Sequence, residues 1–558
     1  MSRSLIQIEL ENGITIKHQV GITPQKLLIE HPELENPAAP VMGVLINNEL
    51  MTLDYPIETD CHLKYVTFRD SHGQHIYRHS ITLLLAKAVN NLYPKASFAV
   101  EHSLSLGLYC SFDQDGGPPL EPDFVKKLET EMRSIAELAL PIRRKKISYQ
   151  EACDYFDSRG LTDKLNLLRY RNPSRVAVYE CGKFMDLAHV PIATDTAKLS
   201  CFKLEPHETG FVIRFPKPSD MCDYPPFDPA PHLFQIFKEH KLWGRAVRVR
   251  TVGDLNNIIA RHGIKEFIQV CEAFQEKRIV RVADAIARKR KHLKWIMIAG
   301  PSSSGKTTFA RRLAIQLQAN GIRTQAISMD DYFVNREQTP HTSNGSHDFE
   351  HIDAVDLALM HQHMKLLEKG EQVELPSFNF QSGRREFTGK TAKVEKDSIL
   401  IIEGIHGLNP RSSEALPRSH IFKIYVSALM QLNLDRNNRI STTDNRLIRR
   451  MIRDNFTRGH TCLDTLDMWH KVRSGENHWI FPYQQEADIA FNTALEYELA
   501  VLKPFAEPLL AQAKPCHHQY AEARRLQDFL SNFLVASHDE VPSSSLLREF
   551  IGGSTFTE

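Results

Sequence analysis

WIMIAGPSSSGKTT, residues 295–308, is the stretch from which the rest of this chain is read. An apolar strand, Trp295 to Ile298, runs into Gly300-Pro301-Ser302-Ser303-Ser304-Gly305-Lys306-Thr307, a match to GxxxxGKS/T, and a helix begins at Thr307. Each residue type has a physical task. Glycines let the backbone wrap an anion, amides at the helix N-terminus point at it, Lys306 adds charge, and Thr307 supplies an oxygen for Mg²⁺. The segment predicts a site for nucleotide phosphates.

Outward from this loop, short apolar strands alternate with helical stretches: WIMIAG (295–300), TQAIS (324–328), a helix over Ala354 to Glu368, SILIIEG (398–404) and FKIYV (422–426). That alternation predicts a parallel α/β sheet with helices on both faces. Ser328-Met329-Asp330-Asp331-Tyr332-Phe333 puts two carboxylates at the carboxyl end of a strand, where ligands bind in open α/β sheets. Asp330 is the candidate general base, and Asp331 is either its partner or a helix cap. The strand ending at Glu403 has the form of a Walker B strand with Glu in place of Asp at its tip, where Glu403 is a candidate to hold a metal-bound water. Arg446, Arg449, Arg450 and Arg453 fall on one face of a helix that Thr442, Thr443 or Asp444 caps. With Arg436, Arg439 and Arg458 flanking and few acids near in sequence, the stripe predicts a lid closing on phosphates.

Together these segments resemble the uridine kinase and phosphoribulokinase family. GPSSSGKTT, SMDDYF, HDFEHIDAVDL, ELPSFNF, ILIIEGIHGL and DNRLIRRMIRD occur in that family's order from about Arg290 to Lys503. The resemblance implies an ATP-dependent small-molecule kinase that uses Mg²⁺ and phosphorylates a nucleoside 5′-hydroxyl. It implies Asp330, Lys306 and Arg449 as catalytic residues. ATP falls to Gly300, Pro301, Ser302, Ser303, Ser304, Gly305, Lys306, Thr307 and Thr308, with Arg446, Arg450 and Arg453 from the lid. The acceptor falls to Asp330, Phe349, Glu350, Phe378, Phe380, Arg384 and Arg446, and Mg²⁺ to Thr307 and Glu403. The acceptor pocket departs from the family pattern: Glu350 stands where aspartate is usual, Phe378-Asn379-Phe380 replaces Tyr-Asp-Phe, and Gly383 stands where those kinases place a base-reading histidine. The acceptor therefore stays open between a nucleoside and another hydroxyl metabolite, such as a sugar phosphate or a pantothenate-like acid.

The front of the chain reads differently. Ile6, Ile8 and Leu10 alternate with polar residues before Asn12-Gly13, and Ile14 and Ile16 resume, which predicts a hairpin. A helix over Pro24 to Glu30 and strands in VMGVLINN and HLKYVTF complete a β-grasp-like module. LINNELMTLDYPIETDCHLKYVT, Arg78-His79-Ser80-Ile81-Thr82-Leu83-Leu84 and Phe184-Met185-Asp186-Leu187-Ala188-His189-Val190-Pro191-Ile192 resemble the TGS module and editing domain of threonyl-tRNA synthetases. Of that domain's reactive cluster only His79 remains, with Leu83, Ala188 and Ile192 replacing the others. The resemblance implies a degenerate scaffold that holds RNA or a nucleotide effector, or docks on the kinase. A third reading makes the whole chain an RNA-linked nucleotide switch.

Strands are expected to dominate from about 139 to Pro216, and the six prolines from Pro216 to Pro231 mark a linker. The chain is thus expected to divide into 1–70 (TGS-like), 71–220 (editing-like α+β), 221–290 (a linker and helical connector, helical from Val252), 291–510 (kinase) and 511–558 (helical tail). Hydrophobic residues at 42%, charged residues at 25% and a net charge of +1 over 558 residues fit a multidomain globular protein without a general affinity for nucleic acid or lipid. Nine cysteines without a CxxC pair, no signal-peptide pattern and no apolar run of membrane length predict a soluble, cytoplasmic protein, with a homo-oligomer open.

Overall fold

The alternation of Ile6, Ile8 and Leu10 buries one side of β1 (Leu5–Leu10), which pairs antiparallel with β2 (Thr15–Gln19) as the Asn-Gly turn demands. α1 (Pro24–Glu30), capped by Thr23 with Pro24 at its first turn, covers a sheet completed by β3 (Val41–Ile46), β4 (Glu49–Met51) and β5 (Cys61–Thr67). Strand order β2-β1-β5-β3-β4, with β1 and β5 parallel, is the β-grasp arrangement. The computed structural model describes residues 5–35, 39–112, 122–221, 223–342, 345–380, 382–395 and 398–556.

The next region is α+β. α2 (Ser71–Leu92) and α3 (Pro122–Glu137) pack on the sheet formed by β6 (Phe98–Leu104) and β7 (Gly107–Phe112) with two later strands. β8 (Ile142–Ser148) follows, and here the expected run of strands is interrupted. Ser148 caps α4 (Tyr149–Ser158), and α5 (Thr162–Arg171) comes next. Ala152 and Phe156, then Leu167 and Leu168, are buried, a helical spacing short enough to be read as strand. β9 (Arg175–Cys181) and β10 (Phe184–Leu187) join β8, and β11 (Lys203–His207) and β12 (Gly210–Arg214) complete the β7-β6 sheet.

The proline-rich stretch ends where Pro231 starts α6 (Pro231–Ala246), a helix whose Phe234, Ile236 and Phe237 are buried. α7 (Val252–Ala260) and α8 (Ile264–Lys289) follow, and the basic run 288–292 is an exposed helix end.

The second half centres on β13 (Trp295–Ala299), α9 (Lys306–Ala319), β14 (Arg323–Ser328), α10 (Leu357–Glu368), the hairpin β15 (Val373–Asn379) and β16 (Arg384–Ala392), and β17 (Ser398–Glu403). After α11 (Pro410–Ser413) come β18 (Ile421–Ser427), the short pair β19 (Asn433–Asp435) and β20 (Asn438–Arg439), α12 (Thr442–Arg458), α13 (Cys462–Trp479), β21 (Ile489–Asn492), α14 (Glu498–Leu510), α15 (Tyr520–Leu530) and α16 (Arg548–Ile551). All five sheet strands, in order β14-β17-β13-β18-β21, are parallel.

The inner strands β17, β13 and β18 are buried on both faces, which is why they read as apolar runs. Ile296 and Ile298 pack with α8 and α9, whereas Trp295 and Met297 pack with α10 and the β15-β16 hairpin. The connector helix α8 is therefore a layer of the nucleotide-site sheet. A single apolar core also joins α4, α5 and α7 to α12, α13, α14 and α15, so residues 511–558 are folded into the body of the chain.

The two halves are locked by buried polar contacts. Lys164 of α5 lies 2.6 Å from Asp186 and 3.2 Å from Asp435, and His189 lies 3.0 Å from Asp435. Burial pushes the Asp435 carboxyl up, but Lys164 and His189 outweigh it and hold it well below the usual carboxylate range.

Candidate active site

β13 ends at Ala299, and the loop from Gly300 turns directly into α9. A Cβ at Gly300 would stand 1.9 Å from the Val426 carbonyl oxygen, so only glycine passes between the two strands here. Ser302 is braced on every side. Its N–H donates to Glu476 Oε1 (3.2 Å), its carbonyl accepts from Arg446 Nε (2.9 Å), and its Oγ accepts from Arg450 Nη1 (2.7 Å). Thr493, after β21, donates to the Ser304 carbonyl. Long-range side chains hold the loop in the shape that leaves its remaining amides for an anion.

Three strands deliver the acids. β14 and β17 pair Ser328 with Glu403, and β13 pairs Ile298 with Glu403, so the carboxylate, Asp330 and the loop share the carboxyl edge of the sheet. Thr307 Oγ1 and Ser328 Oγ both donate to Glu403 Oε1 at 3.2 Å. Lys306 faces Glu403, Asp330, Glu549 and Arg453; burial draws its ammonium down, and the three acids oppose that. Burial and the neighbouring Asp330 push the Glu403 carboxyl up to about 7. Thr307 and Glu403 together are a pair of hard oxygen donors with an excess of negative charge nearby. They fit Mg²⁺, which takes one or two protein oxygens and completes its shell with phosphate and water.

The structure separates the adjacent aspartates. Asp330 lies close enough to Lys306 to act on its charge, whereas Asp331 accepts from the Phe378 N–H (3.4 Å), lies 4.0 Å from Lys390, and so serves the β15-β16 hairpin.

On the acceptor side, Glu350 faces Lys306, Arg450, Asp330 and Glu476. Burial pushes its carboxyl up to about 7, and its Oε2 is buried without a hydrogen-bond partner. Phe378 is buried and Phe380 is 43% exposed; the two rings lie 5.2 Å apart, and Phe333 joins them. Phe349 is exposed beside His347. Arg384 is exposed at the hairpin end, opposite Asn379. A Cβ at Gly383 would meet the Arg336 guanidinium at 2.7 Å, and Arg336 donates to the Phe380 carbonyl (3.2 Å). Arginine from a distant turn thus crowds the position where the family carries histidine.

The arginine stripe is corrected in several respects. Ser441 caps α12, accepting from the Thr443 N–H. Arg446 and Arg449 are fully buried and ion-paired, the first with Glu476 and the second with Glu498. Arg449 also donates to the Thr493 carbonyl and packs on the Phe550 ring, so it is a brace beneath the loop and has no path to a reacting atom. Arg446 likewise spends its donors on Glu476 and Ser302 and does not reach the acceptor side. Arg450 and Arg453 share Asp454, and of the stripe's members Arg453 faces Lys306. Few acids lie near in sequence, but the partners come from 30 and 49 residues away, a separation that no local pattern reveals.

Arg458, one of the arginines expected to flank the stripe, lies over the Phe380 ring (4.8 Å) and faces Asp330. Another site residue escaped the sequence reading. Glu549, in the C-terminal helix α16, accepts from both the N–H (3.2 Å) and the hydroxyl (2.8 Å) of Thr308 at the α9 N-terminus, an anion-binding position. Nothing in the sequence near residue 549 marks it. In the front half, burial holds His79 down to about 3, among His75, His189 and Arg439, and the described residues form no metal-binding group there or elsewhere.

Residues 295–500 match the model of the Phosphoribulokinase / Uridine kinase family, and this part of the chain is a domain of that family. The N-terminal region is similar to threonine-tRNA ligases: 36% identical over 201 residues to that of Thermotoga maritima, and 31% over 203 residues to that of Symbiobacterium thermophilum. Each match covers 36% of this chain and 30% of the relative's length, so the chain accounts for under a third of the curated relatives it matches. A solved chain titled "Structure of a Possible Uridine Kinase from Bacillus stearothermophilus" aligns at 19% identity and a TM-score of 0.28, covering 39% of this chain and 98% of that one. Among the described residues no helix is long and apolar enough to cross a membrane.

Proposed function

We propose that this chain is an ATP-dependent phosphotransferase acting on the hydroxyl of a small molecule, with a nucleoside 5′-hydroxyl as the first candidate. The observation that carries this reading is the convergence of Lys306, Asp330 and Glu403 on one carboxyl edge of a parallel sheet, over a loop of phosphate-binding type. Asp330 accepts the acceptor's proton as its oxygen bonds to the γ-phosphorus and the bond to the leaving diphosphate breaks. Lys306 and Arg453 offset the charge gathered on the transferred group. Glu350 and the Phe378–Phe380 wall hold the acceptor, and Thr307 with Glu403 would hold Mg²⁺, which neutralises phosphate charge when bound. Arg446, Arg449 and Arg450 keep the loop in shape.

A second acceptor class, another hydroxyl metabolite, is favoured by Glu350 and by the Arg336–Gly383 contact, which fills the place of a base-reading histidine. The likeness to threonine-tRNA ligases supports RNA contact through the front half as a further proposal, tested by retention of tRNA on the immobilised full chain. The kinase reading is tested by incubating the purified protein with Mg-ATP and single nucleosides, then a panel of sugar phosphates and hydroxy acids. ADP formation matched by one phosphorylated product is expected. No ADP above the acceptor-free rate with any of them would sink the reading.

A further inference from the structure

Next to the phosphate loop, the described residues line a separate cavity of about 1510 Å³ between the N-terminal sheets, α12, α13 and α15. Its wall carries nine arginines, no lysine and five acids, in a chain whose net charge is +1. The acids are already committed. Asp444 and Glu522 both grip Arg525, Asp528 pairs with Arg524, and Asp467 with His518. Asp228 accepts from the Ala230 N–H.

Five of the nine make no ion pair with a described acid; Arg144, Arg171 and Arg175 are exposed to water, and two, Arg78 and Arg439, are half-buried. Arg78 of α2 lies against the Phe215 ring at 5.4 Å, and the charge it faces is that of Arg473, a like one. Arg439 of β20 faces Arg78 as well as Asp444, and its Nε is buried without a hydrogen-bond partner. Neither makes an ion pair with a described acid. Cations half withdrawn from water without an ion-pair partner destabilise the free protein, and an anion placed between them offsets that. Guanidiniums present forks that match phosphate oxygens two at a time, and the aromatic wall suits the uncharged part of a ligand.

We propose that this cavity is a second ligand site, which takes a small phosphate-bearing molecule of nucleotide size on Arg78 and Arg439. Its volume exceeds that of ordinary metabolite pockets, roughly 300 to 1,000 Å³, so a nucleotide fits with water around it. The site adjoins the kinase loop. Arg473 lines the cavity and donates to Glu476 Oε2 (3.4 Å), while Glu476 Oε1 accepts from the Ser302 N–H. An occupant that draws Arg473 toward it changes the carboxylate that braces the loop. This coupling rests on the nucleotide-site reading above; the binding itself does not.

The test uses the full chain with Lys306→Ala, which cripples the loop's own phosphate affinity, and titrates it with inorganic pyrophosphate by calorimetry, then with AMP and with total tRNA. Saturable, salt-sensitive binding of pyrophosphate or AMP is expected, weakened at least tenfold by Arg78→Gln with Arg439→Gln and less by Arg78→Lys. Without ligand, the double variant should melt no lower than its parent, since it loses only uncompensated charge; a purely structural pair would lower the melting temperature. Absence of binding to the parent, equal affinity in the double variant, a drop in its melting temperature without ligand, or binding of tRNA alone would overturn the proposal. If the double variant does not fold, the parent titration and Arg439→Lys still decide. The coupling is read separately, as a change in ATP affinity of the chain with Lys306 intact when pyrophosphate saturates the cavity.

Discussion

Arginines gather in two places in this molecule, and the two handle charge in opposite ways. On α12, Arg446 and Arg449 leave solvent only as partners of Glu476 and Glu498, while Arg450 and Arg453 share Asp454. In the cavity between the halves, Arg78 and Arg439 have no such partner. A cation buried with a fixed carboxylate is part of the scaffold, and one half-buried without it is open to a mobile anion. The stripe that reads as a free lid is therefore mostly a brace, and the charge left over for ligands lies at its far end, Arg453 and Arg458, and across the cavity.

The comparison first requires that the braced end be where chemistry happens. Asp330→Asn should lower turnover by about 10² to 10⁴-fold while leaving ATP affinity within about twofold, because the loop is untouched. Full turnover by this variant would move the reaction elsewhere.

The brace itself is tested next. Glu476→Ala strands Arg446 and Arg473 and frees the Ser302 amide, so urea unfolding should report a loss of about 3 to 5 kcal/mol. Arg78→Gln, by contrast, should show no loss. Equal costs for the two would erase the distinction between the regions.

Glu549 sharpens it further, since its carboxylate takes the Thr308 amide that an incoming phosphate needs. Glu549→Ala should tighten ATP binding by about tenfold in a fluorescence titration, the worth of one displaced charge-assisted hydrogen bond. Weaker binding would mean that Glu549 supports the nucleotide and does not compete with it.

The smallest effect concerns Glu350. Its carboxyl is raised to about 7 in the folded chain, above the value of an unfolded glutamate, so the native state binds the extra proton between them and stability falls as pH rises through that window. Between pH 6 and 7 the parent should lose roughly 1 kcal/mol more than Glu350→Gln. Parallel pH profiles would place Glu350 in water.

Much of the fold was legible because it is local. The β1-β2 hairpin follows from alternation and an Asn-Gly turn, and the parallel sheet from apolar runs spaced by helices. The loop at 300–307 and Asp330 lie within or next to a strand end whose position the same pattern gives. Helices α4, α5 and α6 were missed because their apolar stripes are short and one begins inside a proline-rich stretch. Glu476, Glu498 and Glu549 were missed because a lone glutamate on a helix looks the same whether it faces water or a phosphate loop.

By itself the sequence determined the parallel sheet, the phosphate loop, the candidate base and the two ancestries joined in one chain, since each depends on contiguous residues or fixed spacing. Only the tertiary structure decided which arginines are braces, which aspartate of the pair faces Lys306, what occupies Thr308, and that the C-terminal segment belongs to the core. Those outcomes depend on which distant carboxylate is brought within hydrogen-bond reach of a buried charge, and chain separation carries no record of that.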